Sequence, residues 1–117
     1  MYFKFGVDSF IWAEKFSEKD LWIIPKAKEL GFEVIDFAIA DPFSFPVKAV
    51  KEKLEEVGID CVCTTTLTAE TNPISPNPEI RKNAAEAMKK CVDICEELEA
   101  PILGGVNYAA WGYLTKK

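Results

Sequence analysis

Three similar stretches of the sequence decide the predicted fold: KELGFEVI at residues 28–35, LEEVGIDCV at 54–62 and CEELEAPIL at 95–103. Each stretch places the acidic end of a helix before an apolar residue, a turn and a strand. Repeated units of this size, in which helices alternate with strands, are typical of a parallel sheet with crossover helices. The sequence therefore predicts an α/β protein built of parallel β-α repeats.

Apolar patterns outside the three stretches complete the predicted order, β-α-β-α-β-α-β. Four strands are predicted, near residues 3–9, 33–39, 59–66 and 101–106. Three helices are predicted, one between the N-cap Ser17 and Gly31, the others over 46–57 and 78–98. Pro25 is expected to cost the first helix a hydrogen bond or to bend its first turns. The segments 68–78 and 107–117 are predicted as loops.

The number of repeats selects between two α/β folds. A TIM barrel has eight such units in about 250 residues, so four strands and three helices make about half of one. A flavodoxin-like domain suits the length but needs a fifth strand, and none is found after Trp111. We therefore predict that residues 1–117 form a single incomplete TIM-barrel domain, a half-barrel.

The composition is that of a globular protein and excludes several partners. Of the 117 residues, 49% are hydrophobic and 28% are charged, a balance that builds a core. The net charge is −5 and no basic cluster is present, which argues against nucleic-acid binding. No apolar run approaches the roughly 20 residues of a membrane helix, so no membrane partner is expected. The N-terminus lacks a signal-peptide pattern, which predicts a cytoplasmic location.

Two residue types limit the chemistry available to this chain. Histidine is absent, which excludes a Ser-His-Asp or Cys-His device built from these residues alone. Four cysteines are present: Cys61, Cys63, Cys91 and Cys95. We expect them to be reduced thiols buried in the core, and a four-thiolate zinc site is the alternative.

Several segments of the sequence also resemble those of a known family. They are GVDSFIW at residues 6–12, AKELGFEVID at 27–36, Ser75-Pro76, and APILGG at 100–105 continuing to Trp111. The chain is similar to the N-terminal part of the D-tagatose/D-psicose (allulose) 3-epimerases, in the xylose-isomerase-like TIM-barrel superfamily. The resemblance runs along essentially all of the chain, and its most specific parts are the Trp after strand one and the strand-four segment. It implies the N-terminal half-barrel of a sugar isomerase or epimerase of carbohydrate metabolism.

The resemblance also implies a divalent-metal enzyme, usually with manganese or cobalt. In this family a metal-bound ketose loses its C3 proton to one carboxylate, giving an enediolate, and a second carboxylate returns a proton on the other face. The family's metal ligands, two Glu, one Asp and one His, lie on later strands. We therefore expect no catalytic residue and no metal ligand in this chain, which alone should bind no metal and be inactive.

Family site residues are carried over only for the substrate-facing wall formed by strands one to four. The substrate-binding residues that the resemblance implies are Asp8, Trp12, Phe16, Cys63, Thr64, Glu70, Val106 and Trp111. Asp8 stands where the family often has an aromatic residue, which implies a different sugar contact or a different substrate. No phosphate-binding loop is found, which favours a free ketose over a phosphorylated one.

Some of these residues have structural alternatives. Trp12, Phe16 and Trp111 can instead pack the core or the barrel mouth. Asp36 lies within an apolar run, so it is either a buried, hydrogen-bonded acid or an inward-facing site residue. Asp41 is expected to make a turn.

Half a barrel leaves the inner face of its sheet and two strand edges open, which calls for a partner. We expect parts of Phe37, Ile39, Val62 and Leu103 on that inner face. The partner is either the C-terminal half of the barrel or a second copy of the chain, which would close a homo-oligomer. Besides the epimerase, the sequence leaves open a self-associating half-barrel without catalysis and a superfamily relative acting on an inositol or hydroxypyruvate-type substrate.

Overall fold

The computed structural model describes residues 2–116 and shows one parallel sheet with its helices packed on one face. The strands are β1 (Gly6–Asp8), β2 (Val34–Ile39), β3 (Asp60–Thr66) and β4 (Leu103–Val106). They are hydrogen-bonded in the order β1-β2-β3-β4, and every pair is parallel. The helices are α1 (Ile23–Glu29), α2 (Val47–Val57) and α3 (Pro78–Leu98). The predicted fold, four parallel strands alternating with three helices, is confirmed.

The three repeats end their helices in the same backbone conformation. Gly31, Gly58 and Glu99 follow the three helices with φ of 92°, 74° and 57°, all in the left-handed region. Glycine suits the first two positions because it has no Cβ to clash there. Glu99 adopts the same conformation with a side chain, so the third turn carries backbone strain that the other two avoid.

Strand β1 is shorter than predicted. It ends at Asp8, whose side chain accepts a hydrogen bond from the backbone N–H of Phe10 at 2.8 Å. That bond starts the 3-10 helix Ser9–Ile11 in place of further strand. The predicted strand near residues 3–9 thus began too early, and its carboxyl end lies at Asp8 rather than at residue 9.

The first helix was predicted too long. Ser17 caps only a short 3-10 helix, Glu18–Asp20, and α1 begins at Ile23. Pro25 is thus the third residue of α1. The N–H groups of a helix's first turn have no partner within the helix, so the first of the two expected effects, a lost hydrogen bond within α1, does not occur.

One face of the sheet packs against the helices and forms the core. Ile35, Phe37 and Ile39 alternate along β2 and are buried with Cys63 of β3. Leu103 is paired with Cys63 in register and packs against the same core. The placement of Phe37, Ile39 and Leu103 on the inner face was wrong, because residues of this parity point towards the helices.

The opposite face of the sheet, here called the open face, carries the alternate residues. By register they are Gly6, Asp8, Val34, Asp36, Ala38, Asp60, Val62, Thr64, Thr66, Gly104 and Val106. Val62 was placed here correctly. The face is mostly small and polar rather than apolar, so the expected apolar inner face is also corrected.

Candidate functional site

The carboxyl ends of the four strands meet at one edge of the sheet, and most of the predicted site residues lie there. Asp8 ends β1 and Val106 ends β4. Thr64 lies in β3, and Glu70 is exposed in the 3-10 helix Ala69–Thr71 just beyond it. Because barrels of this type build their sites at the carboxyl ends of strands, this edge is the candidate site.

Two carboxylates and a hydroxyl form a polar group on the open face. Asp8 and Asp36 are register partners on neighbouring strands, so their side chains share this face. The Thr64 hydroxyl donates to Asp36 Oδ1 at 3.3 Å. Asp8 uses its Oδ1 to accept from the Phe10 N–H, which leaves its other oxygen available to a ligand hydroxyl.

The electrostatics of this group raise the pKa of Asp36 to about 6. Partial burial is the larger cause, and the neighbouring Asp8 carboxylate adds to it, whereas the Thr64 hydrogen bond lowers the pKa. A fraction of Asp36 is therefore protonated near neutral pH and can donate as well as accept a hydrogen bond. Both interpretations of Asp36 hold in part, since it is hydrogen-bonded, partly buried and on the open face.

The three aromatic candidates lie in different surroundings. Trp12 is partly buried, with its ring edge-to-face on Trp22 at a centroid distance of 6.3 Å. Phe16 is only 5% exposed and packs 5.2 Å from the ring of Phe37, within the core. Trp111 is 74% exposed. The structure thus gives Phe16 a packing role and leaves the Trp111 ring free for contact.

The cysteines are buried thiols, as predicted. Cys61, Cys63, Cys91 and Cys95 are all unpaired and buried. Desolvation raises the pKa of Cys61 to about 12 and that of Cys91 to about 11, so neither forms a thiolate near neutral pH. Cys63 is fully buried on the helix side of the sheet, away from the open face that carries Thr64.

Asp41 makes the turn that was predicted for it. Its Oδ1 accepts from the Phe43 N–H at 3.2 Å, and its Oδ2 accepts from the Ser44 hydroxyl at 2.8 Å. These bonds hold the pKa of the Asp41 carboxyl below its usual range.

The described residues do not fit a complete metal site. Across residues 2–116, no three His, Cys, Asp or Glu side chains come together in a group that could hold a metal ion. The four-thiolate zinc alternative therefore finds no support in this part of the chain. Over the same residues, no helix is both long and apolar enough to cross a bilayer.

Two buried polar residues near this edge were missed from sequence. Ser9 is fully buried, and its hydroxyl accepts the Ala38 N–H at 3.2 Å. Asn72 is also buried, and its Oδ1 accepts from the backbone N–H groups of Ile74 and Ala110, each at 3.2 Å. An Asn before a proline signals a local turn, but the contact with Ala110 spans 38 residues and leaves no local signal.

A cavity of about 340 Å³ opens between the loops that follow β3 and β4, and Trp111 is the predicted site residue that lines it. It is lined by Ala69, Asn72, Ser75, Ala110, Trp111, Gly112 and Tyr113. A larger cavity of about 600 Å³ lies at the other end of the sheet, beside Gly58, Asp60 and Leu98. That end carries the amino ends of the strands, which in barrels serve stability rather than ligand binding.

A four-stranded parallel sheet, covered by helices on one face and bearing polar and aromatic residues beyond its carboxyl ends, defines part of a β-α barrel protein. Comparison with known families gives the same answer. A family model described as "Xylose isomerase-like TIM barrel" matches residues 24–114. The chain belongs to this family, and the resemblance found in its sequence is confirmed.

Its relatives include several sugar epimerases. A ketose 3-epimerase from Arthrobacter globiformis is 32% identical over 108 residues, which are 92% of this chain and 37% of the relative. The crystal structure of D-allulose 3-epimerase from Methylomonas sp. has a TM-score of 0.86 at 28% identity. The same enzyme in complex with D-allulose has a TM-score of 0.85 at 27% identity. Each structure matches 92% of this chain, which spans about 38% of the relative's length.

Proposed function

We propose that this chain provides the substrate-facing wall of a ketose 3-epimerase that acts on a free sugar. The observation that carries the proposal is the likeness to a D-allulose 3-epimerase solved with D-allulose. It is supported by the polar and aromatic side chains at the carboxyl edge of the sheet, where barrels bind their ligands. This site is proposed for a ketose of the kind that the relatives' names describe.

Each residue of the wall has a role that suits its surroundings. Asp8 accepts a hydrogen bond from a sugar hydroxyl, and Thr64 contributes a second polar contact on the same face. Trp12 and Trp111 offer ring faces to the C–H groups of the sugar, as aromatic side chains suit apolar contact. Glu70 and Val106 border the wall at the ends of β3 and β4. Phe16 and Cys63 support it from the core.

The proton transfer at C3 is proposed for the complete enzyme, in which a divalent metal such as manganese or cobalt supplies charge stabilisation. Residues 2–116 bring no group of three metal-ligating side chains together, which supports assigning the metal ligands to the other half of the barrel. The two acid-base carboxylates are assigned to that half by the resemblance to the family. What this chain contributes is orientation of the ketose against those groups.

A self-associating half-barrel is the second candidate, favoured by one observation. β1 and β4 are the outer strands of the sheet, and among the described residues neither outer edge is paired with another strand. Such edges invite the strands of another copy. Two copies would supply eight parallel strands, the number that closes a TIM barrel.

A chimeric enzyme tests the proposed function. The matched part of the Methylomonas D-allulose 3-epimerase is replaced by this chain, and epimerisation of D-allulose is measured with manganese present. We expect activity, reduced about tenfold or more by Asp8→Ala, since one charged hydrogen bond to the sugar contributes roughly that factor. Glu52→Gln, on the exposed face of α2, is the matched control and should keep the activity of the chimera.

The outcomes separate the two candidates. A folded chimera without activity on any ketose would contradict the epimerase proposal. Calorimetric titration of the isolated chain with manganese should show no stoichiometric binding, and tight binding would place a metal site within these residues. Light scattering that finds a discrete dimer of the isolated chain would favour the self-associating half-barrel.

A further inference from the structure

The side chain of Asn72 joins two segments that follow different strands. Asn72 lies between β3 and α3, and it is 3% exposed. Its Oδ1 accepts the N–H of Ile74, which closes a local turn, and the N–H of Ala110, which lies beyond β4. The second bond has no part in forming the turn, so it ties the segment after β4 to the loop after β3.

The segment after β4 has a second tie beside the first. The backbone N–H of Trp111 donates to the carbonyl of Leu67 at 2.9 Å, directly after β3. Within the segment, Ala109 and Ala110 are buried, whereas the ring of Trp111 is exposed. The backbone contacts of Ala110 and Trp111 therefore fix where the Trp111 backbone stands, and the exposed ring is carried by that backbone.

The residue after Trp111 lies in a tight turn that these ties hold in place. Gly112 has a φ of 76°, in the left-handed region that glycine enters readily. The turn is closed by the N–H of Tyr113, which donates to the carbonyl of Ala110 at 3.0 Å. The bond from the Ala110 N–H to Asn72 therefore anchors the same turn that carries Trp111. Asn72, Trp111 and Tyr113 all line the cavity of about 340 Å³, so the ties connect parts of its lining.

We propose that Asn72 is a positioning residue that fixes Trp111 in the sugar-binding wall, an inference that rests on the proposed function of that wall. Asn72 acts through the Ala110 N–H and does not itself contact the sugar. Without its oxygen, the buried N–H of Ala110 loses its partner, which is costly in a water-poor site. The segment then moves to satisfy the N–H with water, and the Trp111 ring moves with it.

Two substitutions distinguish the role of the Asn72 side-chain oxygen as an acceptor from the role of the side chain in filling space. Asn72→Leu keeps a similar volume and removes the oxygen. Asn72→Asp keeps an oxygen that can accept from both N–H groups, so it is expected to rescue the tie. The pair therefore distinguishes positioning by a hydrogen bond from simple filling of the buried space.

The test uses nuclear magnetic resonance. Amide exchange is measured in the full chain, and the indole N–H signal of Trp111 is titrated with D-allulose in the chimeric enzyme, which has both halves of the barrel. In Asn72→Leu we expect exchange at Ala110 to be about tenfold faster and the concentration of D-allulose for half-shift to be at least about fivefold higher. Asn72→Asp should match the unsubstituted protein in both measurements. Exchange at Cys63, a core amide that donates to Ile102, is the internal control and should stay unchanged.

Each other result has a defined meaning. Unchanged exchange at Ala110 in Asn72→Leu would overturn the inference, as would a folded Asn72→Asp that exchanges as fast as the leucine variant. An unchanged sugar response in Asn72→Leu would also overturn it. If D-allulose leaves the Trp111 signal of the unsubstituted chimera unmoved while Ala110 responds as expected, the proposed sugar wall fails and the tie itself stands.

Discussion

Asp36 shows how much the chemistry of one residue depends on neighbours that are distant in sequence. From the sequence alone it is a single acid within an apolar strand. In the fold it faces Asp8 across the strand pair and accepts a hydrogen bond from Thr64. The pairing of β1 with β2 creates the like-charge contact that helps to raise its pKa.

The raised pKa of Asp36 predicts how stability changes with pH. Since the folded chain binds this proton more tightly than the unfolded chain does, its contribution is fully present below pH 4 and is lost as pH rises through about 6. An amide at this position does not titrate and so avoids the loss. We therefore expect Asp36→Asn to raise the free energy of unfolding at pH 8, with a difference that shrinks below pH 6 and disappears near pH 4.

Urea unfolding at pH 4, 6 and 8 measures this difference. Glu52→Gln is the control, because it removes one negative charge on the exposed face of α2 without touching the open face. An Asp36→Asn variant with the same advantage at pH 4 as at pH 8 would show that packing, not charge, is responsible.

At the scale of elements, the turns after the three helices share one backbone conformation. Two of these turns have glycine at the left-handed position, and the third has Glu99. Gly31 and Gly58 end their helices in the left-handed region, and Glu99 does so with a Cβ. The local sequence signal for this turn is glycine, so the third repeat shows that its neighbours in the fold enforce the conformation. A side chain in this region costs about 1–2 kcal/mol relative to glycine's freedom there.

Glu99→Gly is therefore expected to raise the free energy of unfolding by about 1 kcal/mol, the relief of strain less the extra entropy of an unfolded glycine. The matched control is Glu97→Gly, an exposed position inside α3, where glycine should lower stability by a similar amount. Thermal and urea unfolding measure both variants. A loss of stability in Glu99→Gly would mean that the Glu99 side chain makes a contact worth more than the strain.

At the scale of the whole molecule, the charge on the open face bears on whether two copies of the chain can associate. The face carries acids at Asp8, Asp36 and Asp60, and Lys4 beside Asp60 is the near cation at its amino end. Two copies that closed on this face would bring both Asp8–Asp36 pairs into one interior. Like charges in a closing interior cost several kcal/mol, which opposes self-association at neutral pH.

We expect the chain to remain largely monomeric at pH 8 and the double variant Asp8→Asn, Asp36→Asn to form more dimer. Light scattering over a tenfold range of protein concentration measures this shift. A double variant of Glu52→Gln and Glu55→Gln, both exposed on α2, keeps the same net charge change and should not dimerise. If the natural chain and the Asp8→Asn, Asp36→Asn variant contained equal amounts of dimer, charge repulsion on the open face would not be what opposes dimerisation.

Much of the architecture was predictable from sequence, because many helix ends depend on contacts between residues that are close in the chain. Gly58 and the Asn77-Pro78 pair end and begin helices through bonds within a few residues, so the bounds of α2 and α3 were close to those found. Asp8 and Ser17 also act locally, since each caps a short 3-10 helix. The apolar residues around them, however, continue the strand pattern of β1 and the helix pattern of α1. Those two boundaries were missed for this reason.

The sequence by itself determined the order of strands and helices, the parallel sheet and the family, because repeats, caps and periodicity act over short distances. Only the tertiary structure decided which face of β2 and β3 meets the helices, since both strands carry apolar residues of both parities, such as Ile35 and Val34. It also decided that Asp8 meets Asp36 and that Asn72 meets Ala110. Contacts between residues so far apart in the chain depend on strand register and loop path, which are set by the packing of the whole fold.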